Sequence, residues 1–186
     1  MDNLMQSALH KATNFLEEKG YRYAIIGGIA NQIWGQARFT YDIDLKVLVP
    51  DTDYAKARKT ILTHFPEPAR PELPTHSLIV AVKIDDITVD FLLAIHGYED
   101  YIIERAVHYV MGETTFWVCT AEDLIIQKAI AGRAKDWQDI EGILIEQQAQ
   151  LDQPYLEDWL TQFAEILEKP ALLTQYKKLW QQITKK

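Results

Sequence analysis

The fold of this chain is decided by residues 23–49, which read YAIIGGIANQIWGQARFTYDIDLKVLV. The run begins with a short apolar segment of strand character that stops at Gly27 and Gly28. Residues 29–36 have helical composition, and the stretch closes on a second strand that opens with Asp42. The sequence therefore predicts a strand–helix–strand unit built around a glycine pair.

The glycine pair permits two interpretations. The first turn of the following helix leaves backbone N–H groups unpaired beside Gly27 and Gly28, and such amides together with the helix dipole favour a phosphate group. A tight strand-to-helix turn that binds nothing would also use two glycines. The residues by themselves leave both interpretations open.

A pair of carboxylates begins the second strand. Alternate side chains of a strand face the same way, so Asp42 and Asp44 point to one side while Ile43 points to the other. Adjacent carboxylates repel each other unless a cation lies between them, and oxygen ligands suit Mg²⁺. We therefore predict that these two acids hold Mg²⁺ or Mn²⁺, with a pair of solvated carboxylates at a strand end as the alternative.

A third acid, Asp90, interrupts residues 86–94, which otherwise have the pattern of a buried strand. A buried charge is costly unless it is paired or binds a metal, so Asp90 is predicted as a third metal ligand or as the partner of a structural Arg or Lys. Three carboxylates on neighbouring strands that face a phosphate-binding helix start outline a two-metal site for phosphoryl or nucleotidyl transfer.

The glycine pair, the two acids of the second strand and the later Asp90, in this order, resemble the polymerase-β-like nucleotidyltransferase superfamily. Within it, the chain is similar to AbiEii-type toxins of type IV toxin–antitoxin systems, also through AEDLIIQK at residues 121–128 and the Arg/Lys/Asp cluster at 133–140. The resemblance covers roughly residues 21–144. It implies catalytic acids that bind magnesium, a nucleoside triphosphate such as ATP as substrate, and an antitoxin protein as a partner.

The same resemblance implies that Arg38 and Thr40 contact the triphosphate, with an ordinary surface loop as the alternative. Lys128 lies on an apolar or small-residue face of a predicted helix. It is either a nucleotide-binding clamp for the triphosphate or leaving group, or half of a buried pair with Asp136 or Asp139. Asp136 and Asp139 are therefore candidates for residues that contact and orient the residues of the site.

The composition is that of an ordinary globular protein: 186 residues, of which 48% are apolar and 25% charged. We predict an α/β (α+β) nucleotidyltransferase fold with a small mixed sheet, flanking helices and a C-terminal helical pair. The core is predicted to span residues 1–150, and the helical pair, residues 151–186, to pack on it as one compact unit.

Further elements follow from periodicity and from Gly, Pro and capping residues. A proline-rich surface loop, PEPARPELP, is predicted for residues 66–74. Thr120 is predicted to cap one helix, and Asp152 with Pro154 to start another. The remaining predictions are helices at residues 2–19, 50–65 and 98–108, an antiparallel hairpin of strands at 76–84 and 87–94, and a short strand at 115–118.

Charge and cysteine content exclude several classes of protein. A net charge of −8 argues against a large basic footprint for nucleic acid. A single cysteine, Cys119, excludes an intramolecular disulfide and suits a reducing compartment. With no signal peptide or membrane-spanning run in the pattern, we expect a cytoplasmic protein without a membrane partner.

Three classes of function stay open at this point. The first is a nucleotidyltransferase that modifies a hydroxyl of RNA or of a protein, in a toxin–antitoxin or phage-defence setting. The second is transfer to a small molecule of the antibiotic type, where an acidic surface favours a cationic acceptor. The third is a non-catalytic nucleotide-binding module with the same fold.

Overall fold

The computed structural model of the protein describes residues 3–112 and 114–185. The strands are β1 (Arg22–Ile25), β2 (Asp42–Leu48), β3 (Ile79–Ile84), β4 (Ile87–Leu93), β5 (Val107–Met111) and β6 (Thr114–Val118). The helices are α1 (Asn3–Glu18), α2 (Gly27–Trp34), α3 (Tyr54–His64), α4 (Tyr98–Glu104), α5 (Ala121–Ala131), α6 (Ala134–Gln147), α7 (Gln153–Ile166) and α8 (Ala171–Thr184). Asp2, where the first helix was predicted to begin, lies outside the described residues.

The strands form one mixed sheet in the order β3-β4-β2-β1-β6-β5. β2 runs parallel to β4, and β1 runs parallel to β6. The other neighbouring strands pair antiparallel. The predicted fold class, a small mixed sheet with flanking helices, is confirmed.

The chain divides into two compact units. The first comprises the described parts of Met1–Ile29 and Phe39–Cys119 and contains the whole sheet with α1, α3 and α4. Its core includes an aromatic cluster in which the Phe15 ring lies 5.1 Å from that of Phe65 and 6.3 Å from that of Phe91. The predicted functional division near residue 150 stays a prediction.

The second unit comprises Ala30–Arg38 and the described part of Thr120–Lys186, so it holds most of α2 together with α5 to α8. α7 and α8 pack against each other and against α5. Tyr176 on α8 donates its hydroxyl hydrogen to Gln153 Oε1 at the start of α7, at 2.7 Å. The predicted C-terminal helical pair is therefore present.

Two helix starts match the capping residues read from the sequence. The backbone N–H of Asp123 donates to Thr120 Oγ1 at 3.2 Å, which makes Thr120 the N-cap of α5. The N–H of Tyr155 donates to Asp152 Oδ1 at 3.0 Å at the start of α7. In both cases a side-chain oxygen accepts a hydrogen bond from a backbone amide that has no acceptor within the helix.

Two predicted helices were wrong in extent. α4 ends at Glu104, and the last residues of the predicted helix, Val107 and His108, lie in β5 because this β-branched and aromatic run pairs with β6 as a hairpin. The predicted helix at 50–65 is interrupted, because Asp51 and Thr52 have φ of 55° and 54°. α3 therefore begins only at Tyr54.

The predicted β3–β4 hairpin is confirmed. Its connecting residues, Asp85 and Asp86, both have positive φ, which matches the twist of a tight two-residue turn. None of the described helices is long and apolar enough to cross a membrane.

The proline-rich loop runs partly along the sheet. Pro68 forms a bridge with Val82 on β3. On either side of this bridge, the N–H of Ala69 donates to the carbonyl of Ala81 at 3.0 Å, and the N–H of Lys83 donates to the carbonyl of Glu67 at 2.8 Å. Residues 67–69 therefore cover the outer edge of β3.

Candidate functional site

The three predicted acids meet at one place in the first unit. β2 and β4 are parallel neighbours, and their register sets Asp44 directly beside Asp90, with Asp42 two residues earlier on the same face of its strand. Each of the three offers a carboxylate oxygen, and these oxygens lie within 4.8 Å of one another. The fold thus gathers the residues that the sequence predicted as a metal-binding set.

Keeping these carboxylates together carries an electrostatic cost. Burial, followed by the negative charges of Asp42 and Asp90, raises the pKa of Asp44 to about 6, although Arg70 and the backbone N–H of Gly28 act in the opposite direction. Burial also raises the pKa of Asp90, and Arg70 offsets part of that effect. Because like charges this close disfavour ionisation, a bound cation would relieve the repulsion.

Arg70, which sequence reasoning missed, is the partner of Asp90. Its Nη2 lies 2.8 Å from Asp90 Oδ2. The backbone places it there, because Ala69 is hydrogen-bonded to Ala81 and Ala81 lies opposite Asp90 in the β3–β4 ladder. A signal was present in the sequence, since Arg70 is the single basic residue of the proline-rich loop.

The other oxygen of Asp90, Oδ1, is buried and has no hydrogen-bond partner among the described residues. A buried acceptor without a partner is costly, which marks this atom for a ligand that the protein itself does not supply. The donor set at this place is all carboxylate oxygen, the chemistry that hard divalent cations prefer. The residues present therefore fit Mg²⁺ or Mn²⁺.

The glycine pair lies directly against these acids. Gly27 has φ of +63°, and a Cβ built on it would fall 1.9 Å from Asp44 Oδ2. A Cβ on Gly28 would fall 2.1 Å from Thr40 Oγ1, and that hydroxyl donates to Asp42 Oδ1 at 3.0 Å. Only glycine leaves room for both side chains. The predicted contacts of Gly27, Gly28 and Thr40 with phosphate stay predictions.

Three other predicted residues form a second cluster, inside the second unit. Arg38 donates from Nε to Asp139 Oδ1 and from Nη2 to Asp139 Oδ2, each at 2.8 Å. Lys128, which is buried, donates from Nζ to the same Oδ2 at 2.5 Å. Lys128 thus forms a buried pair with Asp139, one of the two alternatives that its sequence position left open.

The electrostatics of this second cluster favour ionisation. Burial raises the pKa of Asp139, but the hydrogen bonds and positive charges of Arg38 and Lys128 outweigh it and hold the pKa below its ordinary value. Asp136 has a different role: its carboxylate accepts from the backbone N–H of Arg133 at 3.1 Å and from Arg133 Nε at 2.6 Å. Asp136 therefore stabilises the start of α6.

Two solved structures have a similar fold. The solution structure of the antibiotic-resistance factor ANT(2'')-Ia matches with a TM-score of 0.60 and 19% identity, over 96% of this chain and 99% of that one. An antigenic nucleotidyltransferase-like protein from Paracoccidioides brasiliensis matches with a TM-score of 0.56 and 16% identity, over 94% of this chain and 91% of that one. At these identities the likeness concerns the fold.

The chain belongs to the family described as nucleotidyl transferase of unknown function (DUF2204), which matches residues 5–175. A comparison with curated proteins finds no match. The resemblance to nucleotidyltransferases drawn from the glycine pair and the acids is thus confirmed at the level of family and fold. The narrower similarity to AbiEii-type toxins stays a prediction.

Proposed function

We propose that this protein is a metal-dependent nucleotidyltransferase, which moves the nucleoside monophosphate part of a nucleoside triphosphate to an acceptor hydroxyl. One observation carries the proposal: three carboxylates offer oxygens within 4.8 Å of one another, and Oδ1 of the buried Asp90 has no hydrogen-bond partner among the described residues. Membership of a nucleotidyl transferase family supports the reaction class.

In this proposal Asp42, Asp44 and Asp90 hold Mg²⁺ or Mn²⁺. Ions bound there would neutralise charge on the triphosphate and lower the pKa of the acceptor hydroxyl. Arg70 keeps Oδ2 of Asp90 occupied, so that Oδ1 is the oxygen available to a ligand. The Gly27 end of α2 offers backbone amides to phosphate oxygens.

Two further contacts of the same proposal rest on the sequence alone. Arg38 and Lys128 are expected to bind the triphosphate, and Asp139, which accepts hydrogen bonds from both, would fix their orientation. Asp136 is bonded to Arg133, and its predicted support of the site stays a prediction.

The charge of the chain bears on the acceptor. A net charge of −8 disfavours a long phosphate backbone and favours a cationic small molecule. ANT(2'')-Ia, which matches this chain with a TM-score of 0.55 and 17% identity over 88% of it and 99% of that chain, has been solved with adenylyl-2''-tobramycin, a nucleotidylated small molecule. We therefore propose a cationic small-molecule acceptor, and RNA or protein in a toxin–antitoxin setting becomes a competing outcome.

Label transfer tests the proposal. Purified protein receives each α-labelled nucleoside triphosphate with Mg²⁺ or Mn²⁺, together with total RNA, a protein lysate or an aminosugar such as tobramycin. The Asp42→Asn/Asp44→Asn double variant is the inactive control. Asp86→Asn is the matched control, because Asp86 is an exposed carboxylate in the β3–β4 turn, where Asn tolerates positive φ.

We expect label on the cationic acceptor with the wild-type protein and with Asp86→Asn, but not with the double variant. Label on RNA or protein would support nucleotidyl transfer but contradict the proposed cationic small-molecule acceptor. Nucleotide binding without transfer to any acceptor would favour the non-catalytic module. Absence of both transfer and metal-dependent nucleotide binding would overturn the metal site itself.

A further inference from the structure

Two aromatic residues that precede Asp42 in the sequence are almost fully exposed. The side chains of Phe39 and Tyr41 are 88% and 82% exposed, the two highest values for large apolar residues in the part of the chain that the structure describes. Most of each ring remains accessible to a ligand. Aromatic rings are among the side chains that gain most from burial, so two neighbouring rings with this exposure form a candidate surface for a ligand.

The backbone that carries these rings is anchored to the acid cluster. Thr40, between them, packs its side chain against Gly28 and donates its hydroxyl hydrogen to Asp42 Oδ1 at 3.0 Å. Tyr41 directly precedes Asp42, the first residue of β2. The backbone segment that carries the two rings is therefore held next to Asp42 by Thr40.

The charge around the rings selects the kind of molecule that covers them. Aromatic faces attract cations, and the attraction is strongest where the cation leaves water. Three carboxylates follow the rings in the fold, Arg70 pairs with one of them and Arg38 with Asp139, and the whole chain carries −8. Bases of single-stranded RNA also stack on aromatic rings, but their phosphates would meet this negative field.

We propose that Phe39 and Tyr41 are the docking surface for the acceptor, a cationic small molecule whose ammonium groups and apolar face lie on the two rings. This inference rests on the proposed function and assigns a specificity role to residues that neither the family nor the acid motif identifies. The rings bind the acceptor and leave the nucleoside triphosphate to the metal ligands and the glycine pair.

The test separates acceptor binding from nucleotide binding. The variants are Phe39→Ala/Tyr41→Ala and the conservative Phe39→Tyr/Tyr41→Phe, which keeps two aromatic faces. Isothermal titration measures the Kd of tobramycin and of a single-stranded RNA oligomer, each with protein preloaded with Mg²⁺ and a non-hydrolysable ATP analogue. The affinity for the ATP analogue is measured in parallel.

We expect the double alanine variant to bind tobramycin about tenfold more weakly than the wild type, since each lost cation–π contact is modest. The aromatic-preserving variant should stay within about twofold, as should the ATP affinity of both variants. Unchanged tobramycin affinity in the alanine variant, an equal loss of ATP affinity, or a loss confined to the RNA would each overturn the docking proposal.

Failure of the proposed function has a different signature. In that case the wild-type protein transfers no label to any acceptor. Binding of tobramycin that depends on the rings would still be seen if only the chemistry were misassigned, because this binding is measured without turnover.

Discussion

Two clusters of charged side chains in this protein have opposite balances of charge. In the first unit, Asp42, Asp44 and Asp90 lie together, and Arg70 pairs with Asp90. In the second unit, Asp139 alone accepts hydrogen bonds from both Arg38 and Lys128. The pKa of Asp44 is raised and the pKa of Asp139 is lowered.

The difference shows in which cluster the protein compensates the carboxylate charge by itself and in which an excess of negative charge remains. The carboxylate of Asp139 is compensated by Arg38 and Lys128. The acid cluster has an excess of negative charge and a buried oxygen without a hydrogen-bond partner among the described residues. A bound cation would compensate this excess charge.

The largest expected effect is on catalysis at the first cluster. Asp42→Asn should lower nucleotidyl transfer by about a thousandfold or more, because one carboxylate of the proposed metal set is lost. Initial rates with a labelled nucleoside triphosphate measure this, with Asp86→Asn as the control. Activity within tenfold of the wild type would show that Asp42 is not a metal ligand in the reaction.

The same type of substitution at the second cluster should act on stability. Asp139→Asn leaves the buried ammonium of Lys128 without its carboxylate, and we expect a loss of roughly 3 kcal/mol in the free energy of unfolding. Urea denaturation at pH 7.5 measures it. A loss below about 1 kcal/mol would show that Asp139 is not the group that neutralises the buried charge of Lys128.

At the first cluster, removing a carboxylate should raise the free energy of unfolding instead of lowering it. Asp44→Asn removes a repelled carboxylate, and in metal-free buffer at pH 7.5 we expect a gain of about 1.5 kcal/mol, after discounting the pKa shift for partial exposure to solvent. Urea denaturation with EDTA measures this, beside Asp86→Asn. A loss of stability in Asp44→Asn would contradict the interpretation that repulsion among the three carboxylates destabilises the folded protein.

The pH dependence of this difference follows from the same shift. The pKa of Asp44 is about 6 in the folded protein, above its ordinary 3.8, so the folded state holds the proton more tightly. The wild type should therefore lose stability relative to Asp44→Asn as pH rises from about 4 to 6, and the two should converge near pH 4. The advantage conferred by Asp139 should instead disappear as pH falls, because its folded pKa is lowered.

The smallest expected effect concerns Arg70. Arg70→Met should lower transfer roughly tenfold, because Asp90 loses the partner that fixes Oδ2 and the cluster loses a positive charge. Arg22→Met, a change at an exposed arginine of β1, serves as the matched control. Equal transfer rates for Arg70→Met and the control would show that Arg70 does not contribute to the reaction.

The acids were predictable because their signal is local. Asp42 and Asp44 share a strand face by simple alternation, and Asp90 is visible as a charge inside an apolar run. The strand–helix–strand unit around Gly27 and Gly28 follows from equally short patterns. The family and the fold could therefore be predicted from the sequence.

The partners of these residues were not predictable, because they depend on how distant segments meet. Arg70 reaches Asp90 only because residues 67–69 pair with β3, and Arg38 meets Asp139 across 101 positions of the chain. The strand at Val107 was mistaken for helix because its pairing with β6 overrides local pattern. The exposure of Phe39 and Tyr41 is likewise a property of the folded chain.

The segment around Pro68 also governs how the sheet can associate. At one end, residues 67–69 occupy the border of β3, and a proline there has no N–H to offer to a further strand. At the other end, no strand or bridge of the described residues borders the outer side of β5. The outer side of β5 is therefore the edge that main-chain pairing with a peptide or a second molecule would extend.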